Sequence, residues 1–209
     1  MIQGTEQWKR ERTGFVTGSM VHAVLAKGRN GEESKGRKDY MNQLITERLT
    51  GEPTESSFSS EYTEWGTATE PLAIAAYEER TGVKVTKCGS IQHPTIEWIS
   101  ASPDGLVLPD GCIEVKCMSE DNHRKYFDKK PKGYHILQMH VEMMCAETFW
   151  CDYILYDPRQ PEEWQLSIQR IKRDPKIAMR IAVGVSMFLR DLEEKMMNKE
   201  NEDGRVIGS

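Results

Sequence analysis

The chain has 209 residues, of which 38% are hydrophobic and 29% are charged, and its formal net charge is −5. This length and composition predict one globular domain over residues 1–197, followed by a polar, flexible tail over residues 198–209. A membrane protein is excluded, because no apolar run approaches the roughly 18 residues that a spanning helix needs. Met1–Glu6 contains no apolar signal core and the five cysteines form no Cys-x-x-Cys pair, so we expect a cytoplasmic protein without disulfides.

The N-terminal half is predicted to be mainly helical. Apolar residues recur at helical spacing in Lys35–Leu49, and Gly51 is a typical residue to end that helix. Pro71 is tolerated only in the first turn of a helix, so we expect the helix that carries Glu70 to start or kink there. The predicted elements are helices at Ser19–Lys27, Lys35–Leu49 and Leu72–Arg80, the last ending at Gly82, with a polar loop at Glu52–Ser60.

The C-terminal half is predicted to contain both strands and helices. Val83–His93 alternates in the manner of strands, with a bend at Gly89. The elements that follow are a short strand end at Ile99–Ser102, a hairpin of Gly105–Leu108 with Cys112–Cys117, a helix at Tyr134–Ala146, strands at Phe149–Tyr156 and Trp164–Lys172, and a helix at Asp174–Met197. This order predicts an α/β fold in which helices flank a mixed central sheet.

The net negative charge does not indicate a nucleic-acid-binding protein, but the charges are unevenly distributed. Residues 1–50 carry nine Lys or Arg against six Asp or Glu. The segment Arg124–Lys132 contains five basic residues and one acid, Asp128. Phosphate binding requires positive charge only along the path of the phosphates. Taken alone, Lys129-Lys130-Pro131-Lys132 is more typical of a solvated loop.

The predicted hairpin brings three chemically active side chains onto one face. Pro109-Asp110-Gly111 is a strong turn sequence, because Pro presets φ and Gly supplies a positive φ. Side chains alternate between faces along a strand, so Asp104, Glu114 and Lys116 are expected to project together while Val115 points into the core. The pairs predicted across the hairpin are Leu108–Cys112, Leu106–Glu114 and Asp104–Lys116.

These residue types suit phosphodiester hydrolysis. Hard divalent cations prefer carboxylate and carbonyl oxygens, which Asp104, Glu114 and the Val115 carbonyl would supply. Lys116 adds a positive charge that can orient water and offset developing negative charge. The alternative is purely structural, because Pro-Asp-Gly is a common turn and Glu-Val-Lys is an ordinary charge pattern in a half-exposed strand. Asp110 belongs to a second Pro-Asp-Gly and is interpreted in that structural way.

Several motifs in chain order resemble the lambda exonuclease family of phage alkaline exonucleases and YqaJ-like viral recombinases. Ala101–Leu106 with Cys112–Cys117 is similar to the PD-(D/E)-x-K core, which has a restriction-endonuclease-like fold. The other matching segments are Trp8–Ser19, Trp65–Glu70, Gln138 and Tyr156–Arg159. The resemblance implies a Mg²⁺-dependent 5′→3′ exonuclease on double-stranded DNA ends, in which Mn²⁺ can substitute. It also implies a homotrimeric ring that works with a single-strand annealing protein, encoded by a phage or its bacterial host.

The same resemblance implies roles for residues outside the hairpin. Glu70 would be a third metal-site carboxylate, and Gln138 would position the attacking water or Lys116. Without the resemblance, Glu70 would be interpreted as an acid favoured at a helix N-terminus and Gln138 as a solvent-facing residue. Arg12, Ser19 and Ser102, with Arg29 as a further DNA-binding residue, resemble family positions that hold the 5′-phosphate.

Two other functions remain open at this point. One is an endonuclease of the same fold, such as a restriction or junction-resolving enzyme, which would differ in not needing a DNA end. The other is a non-catalytic DNA-end-binding recombination protein, although the intact Asp104, Glu114 and Lys116 argue against it. The five histidines form no convincing set of metal ligands, and a zinc site at Cys112 and Cys117 is disfavoured against buried thiols.

Overall fold

The computed structural model describes residues 3–54 and 61–206. The 3-10 turns lie at Gly18–Met20 and Arg29–Gly31. The strands are β1 (Val16–Thr17), β2 (Ile91–Gln92), β3 (Ile99–Ala101), β4 (Gly105–Val107), β5 (Gly111–Lys116), β6 (Trp150–Tyr156) and β7 (Leu166–Lys172). The helices are α1 (Glu6–Glu11), α2 (Val21–Val24), α3 (Lys35–Thr50), α4 (Glu61–Thr81), α5 (Glu120–Tyr126), α6 (Gly133–Cys145), α7 (Glu162–Gln165) and α8 (Pro175–Val206).

The strands form two mixed sheets. In the three-stranded sheet, β3 lies between β1, to which it is parallel, and β2, to which it is antiparallel. The four-stranded sheet has the order β4-β5-β6-β7, with a parallel pair at β5–β6 and antiparallel pairs on either side. Helices pack against both sheets, so the predicted α/β architecture with flanking helices is confirmed, although the described residues form two mixed sheets in place of one central sheet.

Alternate residues of β5 face opposite sides of the four-stranded sheet. Ile113 and Val115 belong to an apolar cluster shared with α4, whereas Cys112 packs in a cluster shared with α6. Glu114 and Lys116 have the same parity as Cys112 and therefore face α6. The strand is buried over most of its length, so its two charged residues lie against protein rather than open solvent.

The β4–β5 hairpin is shifted by two residues from the predicted register. Gly111 does not supply a positive φ for the turn; it belongs to β5, and a Cβ there would lie 2.2 Å from the Trp150 ring. Leu108–Asp110 therefore make the turn. A shift of two leaves every side chain on its predicted face. The observed pairs are Gly105–Ile113, Leu106–Cys112 and Val107–Gly111, in place of Leu108–Cys112, Leu106–Glu114 and Asp104–Lys116.

Helix α4 contains Pro71 in its interior, so the expected helix start at Pro71 was wrong, while the alternative of a kink there stays a prediction. The helix begins at Glu61 and continues through Pro71 to Thr81, where Gly82 ends it with φ 72°. Proline costs one backbone hydrogen bond and crowds the preceding turn. Burial of Ala73 and Tyr77 against the four-stranded sheet offsets that cost.

Other element boundaries differ from the sequence prediction. Val83–His93 forms strand only at Ile91–Gln92, with an isolated bridge between Thr86 and Leu106, so most of the predicted strand is absent from this described segment. Residues 55–60 of the predicted Glu52–Ser60 loop lie outside the described residues. Helix α8 extends to Val206, beyond the predicted end at Met197. Helix α3 ends at Gly51 with φ 70°, as predicted.

Candidate active site

A cavity of about 350 Å³ lies where β5, α4 and α6 meet the N-terminal segment and the loop between β3 and β4. The residues that line it are distant in sequence and range from Gln3 near the N-terminus to Glu142 in α6. The sequence-predicted residues that line it are Arg12, Ser19, Glu70, Ser102, Asp104, Glu114, Val115, Lys116 and Gln138. The structure therefore brings the proposed hairpin residues and the proposed phosphate-binding residues into one place.

Backbone pairing holds Asp104 beside Glu114. The Asp104 amide donates to the Ile113 carbonyl at 3.1 Å, which continues the hairpin ladder by one residue. The Val115 amide donates to Asp104 Oδ2 at 2.7 Å, so the carboxylate orientation is fixed by the strand itself. The Asp104 side chain therefore lines the cavity from the end of the β3–β4 loop, where two hydrogen bonds to β5 hold it.

Glu114 is enclosed by protein, whereas Asp104 is half-buried at the cavity. Glu114 is 1% exposed, and burial together with Glu114 raises the pKa of Asp104 well above its ordinary value. Glu114 Oε1 accepts hydrogen bonds from Lys116 Nζ and from Gln138 Nε2. Burial opposes the charged form of Lys116, but Glu114 and Asp104 outweigh it and raise the pKa of the ammonium. The two carboxyl groups of Asp104 and Glu114 are thus accompanied by a single ammonium group, that of Lys116.

The donor set fits a hard divalent cation. Glu114 Oε2 is buried and has no hydrogen-bond partner among the described residues, and such an oxygen is costly unless a ligand satisfies it. Asp104, Glu114 and Val115 line the same cavity. A divalent cation held by these residues would offset the burial and the charge of Glu114, which together raise the pKa of Asp104.

Glu70 lies in the cavity wall but its carboxylate is engaged elsewhere. Glu70 Oε1 is 2.6 Å from Lys87 Nζ, and the glutamate side chain is 26% exposed. It is close enough to raise the pKa of Asp104, although burial and Glu114 raise it more. Glu70 would have to exchange Lys87 for a cation to serve as a third ligand.

Helix α6 adds a carboxyl group that the sequence did not identify. Gln138 Nε2 donates to Glu114 Oε1 at 2.8 Å and to Glu142 Oε1 at 2.9 Å. Glu142 is 1% exposed, and burial followed by the charge of Glu114 raises its pKa well above the ordinary value. The glutamine therefore uses both amide hydrogens to bridge two acidic groups, which fixes its orientation at the cavity.

A second wall of the cavity is built around an arginine and a tryptophan. The Arg12 guanidinium lies over the Trp8 ring at 3.9 Å, and burial lowers its pKa. Trp8 Nε1 donates to Ser102 Oγ at 3.0 Å, which joins this wall to the loop before Asp104. Arg12 Nε is buried without a hydrogen-bond partner in the part of the chain that the structure describes. An anionic ligand in the cavity would satisfy it.

Comparisons with known proteins place this geometry in a family. Residues 7–148 match the YqaJ-like viral recombinase domain, which covers most of the chain. The chain belongs to this family. The predicted resemblance to phage alkaline exonucleases is thereby confirmed at the level of family and fold.

Solved structures of similar proteins agree with this assignment. An alkaline exonuclease, LHK-Exo from Laribacter hongkongensis, is 38% identical with a TM-score of 0.89, over 97% of this chain and 100% of that one. The same protein in complex with dAMP gives the same values. A phage related exonuclease from Haemophilus somnus 129PT shares the fold at 16% identity and a TM-score of 0.68, over 88% of this chain and 96% of that one. No curated protein sequence matches the chain.

Two sequence-predicted features of this chain, Arg29 and the Tyr156–Arg159 motif, lie away from the cavity. Arg29 is exposed in the 3-10 turn Arg29–Gly31 and is not among the described residues that line the cavity, so it does not join Arg12 there. In the Tyr156–Arg159 motif, the buried Asp157 carboxylate accepts from Arg159 Nε at 2.8 Å, and the Arg159 guanidinium lies over Trp65 at 4.0 Å. This motif is a brace between the β6–β7 turn and α4.

The described helices include none that combines the length and hydropathy needed to cross a membrane.

Proposed function

We propose that the chain is a DNA exonuclease of a recombination system that acts 5′→3′ on linear double-stranded DNA and leaves 3′ single-stranded overhangs. Membership of the YqaJ-like viral recombinase family and the 38% identity to an alkaline exonuclease support a DNA exonuclease in recombination. The complex of that relative with dAMP supports a mononucleotide product. Polarity and the double-stranded substrate rest on the motif resemblance.

One observation carries the proposal. A buried, unpartnered carboxylate oxygen of Glu114 and a buried, unpartnered nitrogen of Arg12 belong to residues lining the same cavity, as judged from the described residues. A cation would satisfy the Glu114 oxygen, and an anion would satisfy the Arg12 nitrogen. A phosphodiester held beside a divalent metal ion provides both charges, so the cavity has the electrostatic form of a phosphoryl-transfer site.

Asp104, Glu114 and the Val115 carbonyl, with Glu70 as a fourth group, would hold Mg²⁺ or Mn²⁺. When bound, that cation would supply positive charge against the phosphodiester oxygens and acidify water. Lys116 places its ammonium on the same face and would offset charge that develops during hydrolysis. Gln138 is held by two acidic groups, so it would orient water or substrate with little reorganisation.

Arg12, Ser19 and Ser102 would receive the terminal 5′-phosphate. Guanidinium and hydroxyl groups suit a phosphate dianion, and Ser102 is held by Trp8 close to the loop that carries Asp104. Binding the end of the strand in this wall would set the distance to the scissile bond. That arrangement would make the reaction depend on a DNA end.

We also propose that the protein forms a homotrimeric ring and supplies single strands to an annealing protein. A candidate contact between the basic N-terminal third and the acidic Glu52–Glu64 segment involves residues 55–60, which lie outside the described residues. The ring proposal therefore rests on family membership and on the need to hold a long duplex.

The decisive experiment compares end-labelled linear duplex with closed circular duplex in Mg²⁺. We expect loss of a 5′ label as mononucleotide from the linear substrate, no cleavage of the circle, activity with Mn²⁺, none with Ca²⁺ and none in excess chelator. Cleavage of the circle would instead establish an endonuclease of the same fold. Tight binding of ends without hydrolysis in any divalent metal would establish an end-binding protein.

A further inference from the structure

The basic segment Arg124–Lys132 is held in place rather than loosely solvated. Ser167 Oγ on β7 donates to Asp128 Oδ1 at 2.6 Å, and Gln169 Nε2 donates to the Lys129 carbonyl at 2.8 Å. These two bonds anchor the loop between α5 and α6 to the edge strand of the four-stranded sheet. Its lysines therefore project from a fixed backbone, which reduces the entropy that a ligand would have to remove.

Two lysines of this segment contact tyrosine rings and form an aromatic-basic patch. Lys132 Nζ lies 4.2 Å from the centre of the Tyr126 ring and 5.6 Å from that of Tyr134. Lys125 Nζ lies 5.3 Å from the Tyr126 ring. The Tyr134 ring also lies 5.8 Å from the His22 ring, yet Tyr134 remains 43% exposed. We define the aromatic-basic patch as these five residues.

The aromatic-basic patch adjoins the cavity at two points. Tyr134 lies one turn of α6 before Gln138, which lines the cavity, so the two residues share a helix face. His22 Nδ1 lies 2.9 Å from the carbonyl of Ser19, which also lines the cavity. A strand that leaves the cavity along this side would meet an exposed aromatic ring and two ammonium groups about one helical turn away.

We propose that the aromatic-basic patch binds the unpaired 3′ strand of the DNA, with a base stacked on Tyr134 and phosphates beside Lys125 and Lys132. Aromatic rings interleaved with basic side chains are the usual surface for single-stranded nucleic acid, because every base has a face to stack and every nucleotide a phosphate. This inference rests on the proposed function. The retained strand is the occupant because its bases stay unpaired, whereas the other strand leaves as mononucleotides.

The test measures binding of fluorescein-labelled duplexes with a 3′ or a 5′ oligothymidylate tail, by anisotropy in EDTA so that no hydrolysis occurs. We expect the wild-type protein to prefer the 3′-tailed duplex. Tyr134→Ala should weaken binding of that duplex by roughly tenfold, as loss of one stacked base predicts, and Tyr134→Phe should not. Lys132→Gln should lower the dependence of log affinity on log salt by about one, whereas Tyr134→Ala should leave that slope unchanged.

The matched control is Phe149→Ala. Phe149 is 65% exposed beside Lys172 and Arg173 in a separate groove, so it is also an exposed ring near basic residues. Its removal should not change binding of either tail. Wild-type affinity in Tyr134→Ala, an equal loss in Phe149→Ala, or a loss confined to the 5′-tailed duplex would each overturn the inference.

Failure of the proposed function is distinguishable from failure of this inference. If the protein binds the 3′ tail through Tyr134 in EDTA but degrades no linear duplex in Mg²⁺, the aromatic-basic patch binds single strands as proposed and the exonuclease proposal is wrong. If linear duplex is degraded while Tyr134→Ala binds the 3′ tail as tightly as the wild type, the exonuclease proposal is supported and the proposed role of the aromatic-basic patch is wrong.

Discussion

The half-buried Asp104 and the buried Glu114 line one cavity, and two negative charges placed there are unfavourable for the fold without a cation. Burial and the charge of Glu114 raise the pKa of Asp104, and Lys116 supplies only one compensating charge. Groups placed in this way are typical of sites where stability is reduced for the sake of function. Removing one negative charge should therefore affect stability and activity in opposite directions.

We expect Asp104→Asn to abolish hydrolysis and to raise the melting temperature in chelator by a few degrees. The amide is isosteric and can still accept from the Val115 amide, but it carries no charge and is a weak cation ligand. A gain of about 1 kcal/mol in the free energy of unfolding raises the melting temperature of a chain of this size by roughly 2–4 °C. Thermal melts in EDTA and in Mg²⁺ should also show a smaller metal-dependent increase for the variant than for the wild type.

Asp110→Asn is the matched control for Asp104→Asn. Asp110 occupies the second Pro-Asp-Gly sequence and is exposed in the hairpin turn. Its variant should keep wild-type activity and the full stabilisation by Mg²⁺. An inactive Asp110→Asn beside an active Asp104→Asn would reverse the assignment of the two aspartates.

Arg12 should determine the preference for phosphorylated ends. We expect the wild-type protein to begin digestion faster at 5′-phosphate than at 5′-hydroxyl ends, and Arg12→Ala to reduce that ratio by about tenfold or more. The reason is that a charge-assisted hydrogen bond contributes about 1.5–3 kcal/mol. Initial rates on the two kinds of end provide the measurement.

The control for Arg12 is Arg10→Ala, which removes an exposed arginine from α1. Its ratio of initial rates should match that of the wild type. If the wild-type protein starts equally fast at both kinds of end, there is no preference for Arg12 to explain and its role as a phosphate ligand is wrong.

At the scale of elements, the sequence identified the hairpin but not its register. The choice of Asp104, Glu114 and Lys116 follows from the chemistry of cation binding. Because side chains alternate between the two faces of a strand, a two-residue shift of the hairpin register leaves these three on the same face. In the observed register Gly111 belongs to β5, where the Trp150 ring of β6 occupies the space beside it. That contact joins residues far apart in sequence, so no local pattern could reveal it.

Long-range contacts also explain what the sequence missed within the cavity. The spacing of Gln138 and Glu142 shows that they share a face of α6, but only the packing of α6 against β5 shows that this face meets Glu114. Likewise, the Trp8–Ser19 motif indicates no role for Trp8, because the hydrogen bond from Trp8 to Ser102 joins residues 94 positions apart in sequence.

Helix α6 should act on the reaction through the bridge between Gln138 and Glu142. Glu142→Leu removes an acceptor for the Gln138 amide and frees that side chain to rotate. We expect kcat to fall by about tenfold with little change in KM for DNA. The lost hydrogen bond, which contributes about 1 kcal/mol or more, holds Gln138 in its orientation at the cavity and does not bind DNA. Steady-state kinetics on a linear duplex measure both constants.

Glu142→Gln provides the comparison, because its amide oxygen can accept the same hydrogen bond while the volume and the burial are kept. Its kcat should lie within about threefold of the wild-type value. Equal losses in Glu142→Gln and Glu142→Leu would show that the carboxyl group itself, rather than the bridge to Gln138, is required.

At the scale of the whole molecule, attachment to DNA is the main physical difficulty. A chain of 24.0 kDa with a net charge of −5 has a modest electrostatic attraction for duplex DNA, and that attraction falls steeply with salt. An enzyme that degrades long ends must therefore remain attached by other means. A closed ring around the duplex provides a topological attachment, and cyclic closure requires one surface to meet a different surface on the next copy.

If the proposed homotrimeric ring forms, light scattering at micromolar protein should give a mass of about three chains. Processivity on long linear DNA, measured with a trap of unlabelled duplex, should then fall little as salt rises, since release from a ring requires the strand to end or the ring to open. Initial binding should remain strongly salt-dependent, because the first encounter is electrostatic. A mass near 24.0 kDa together with long processive runs would show that something other than encirclement keeps this protein on DNA.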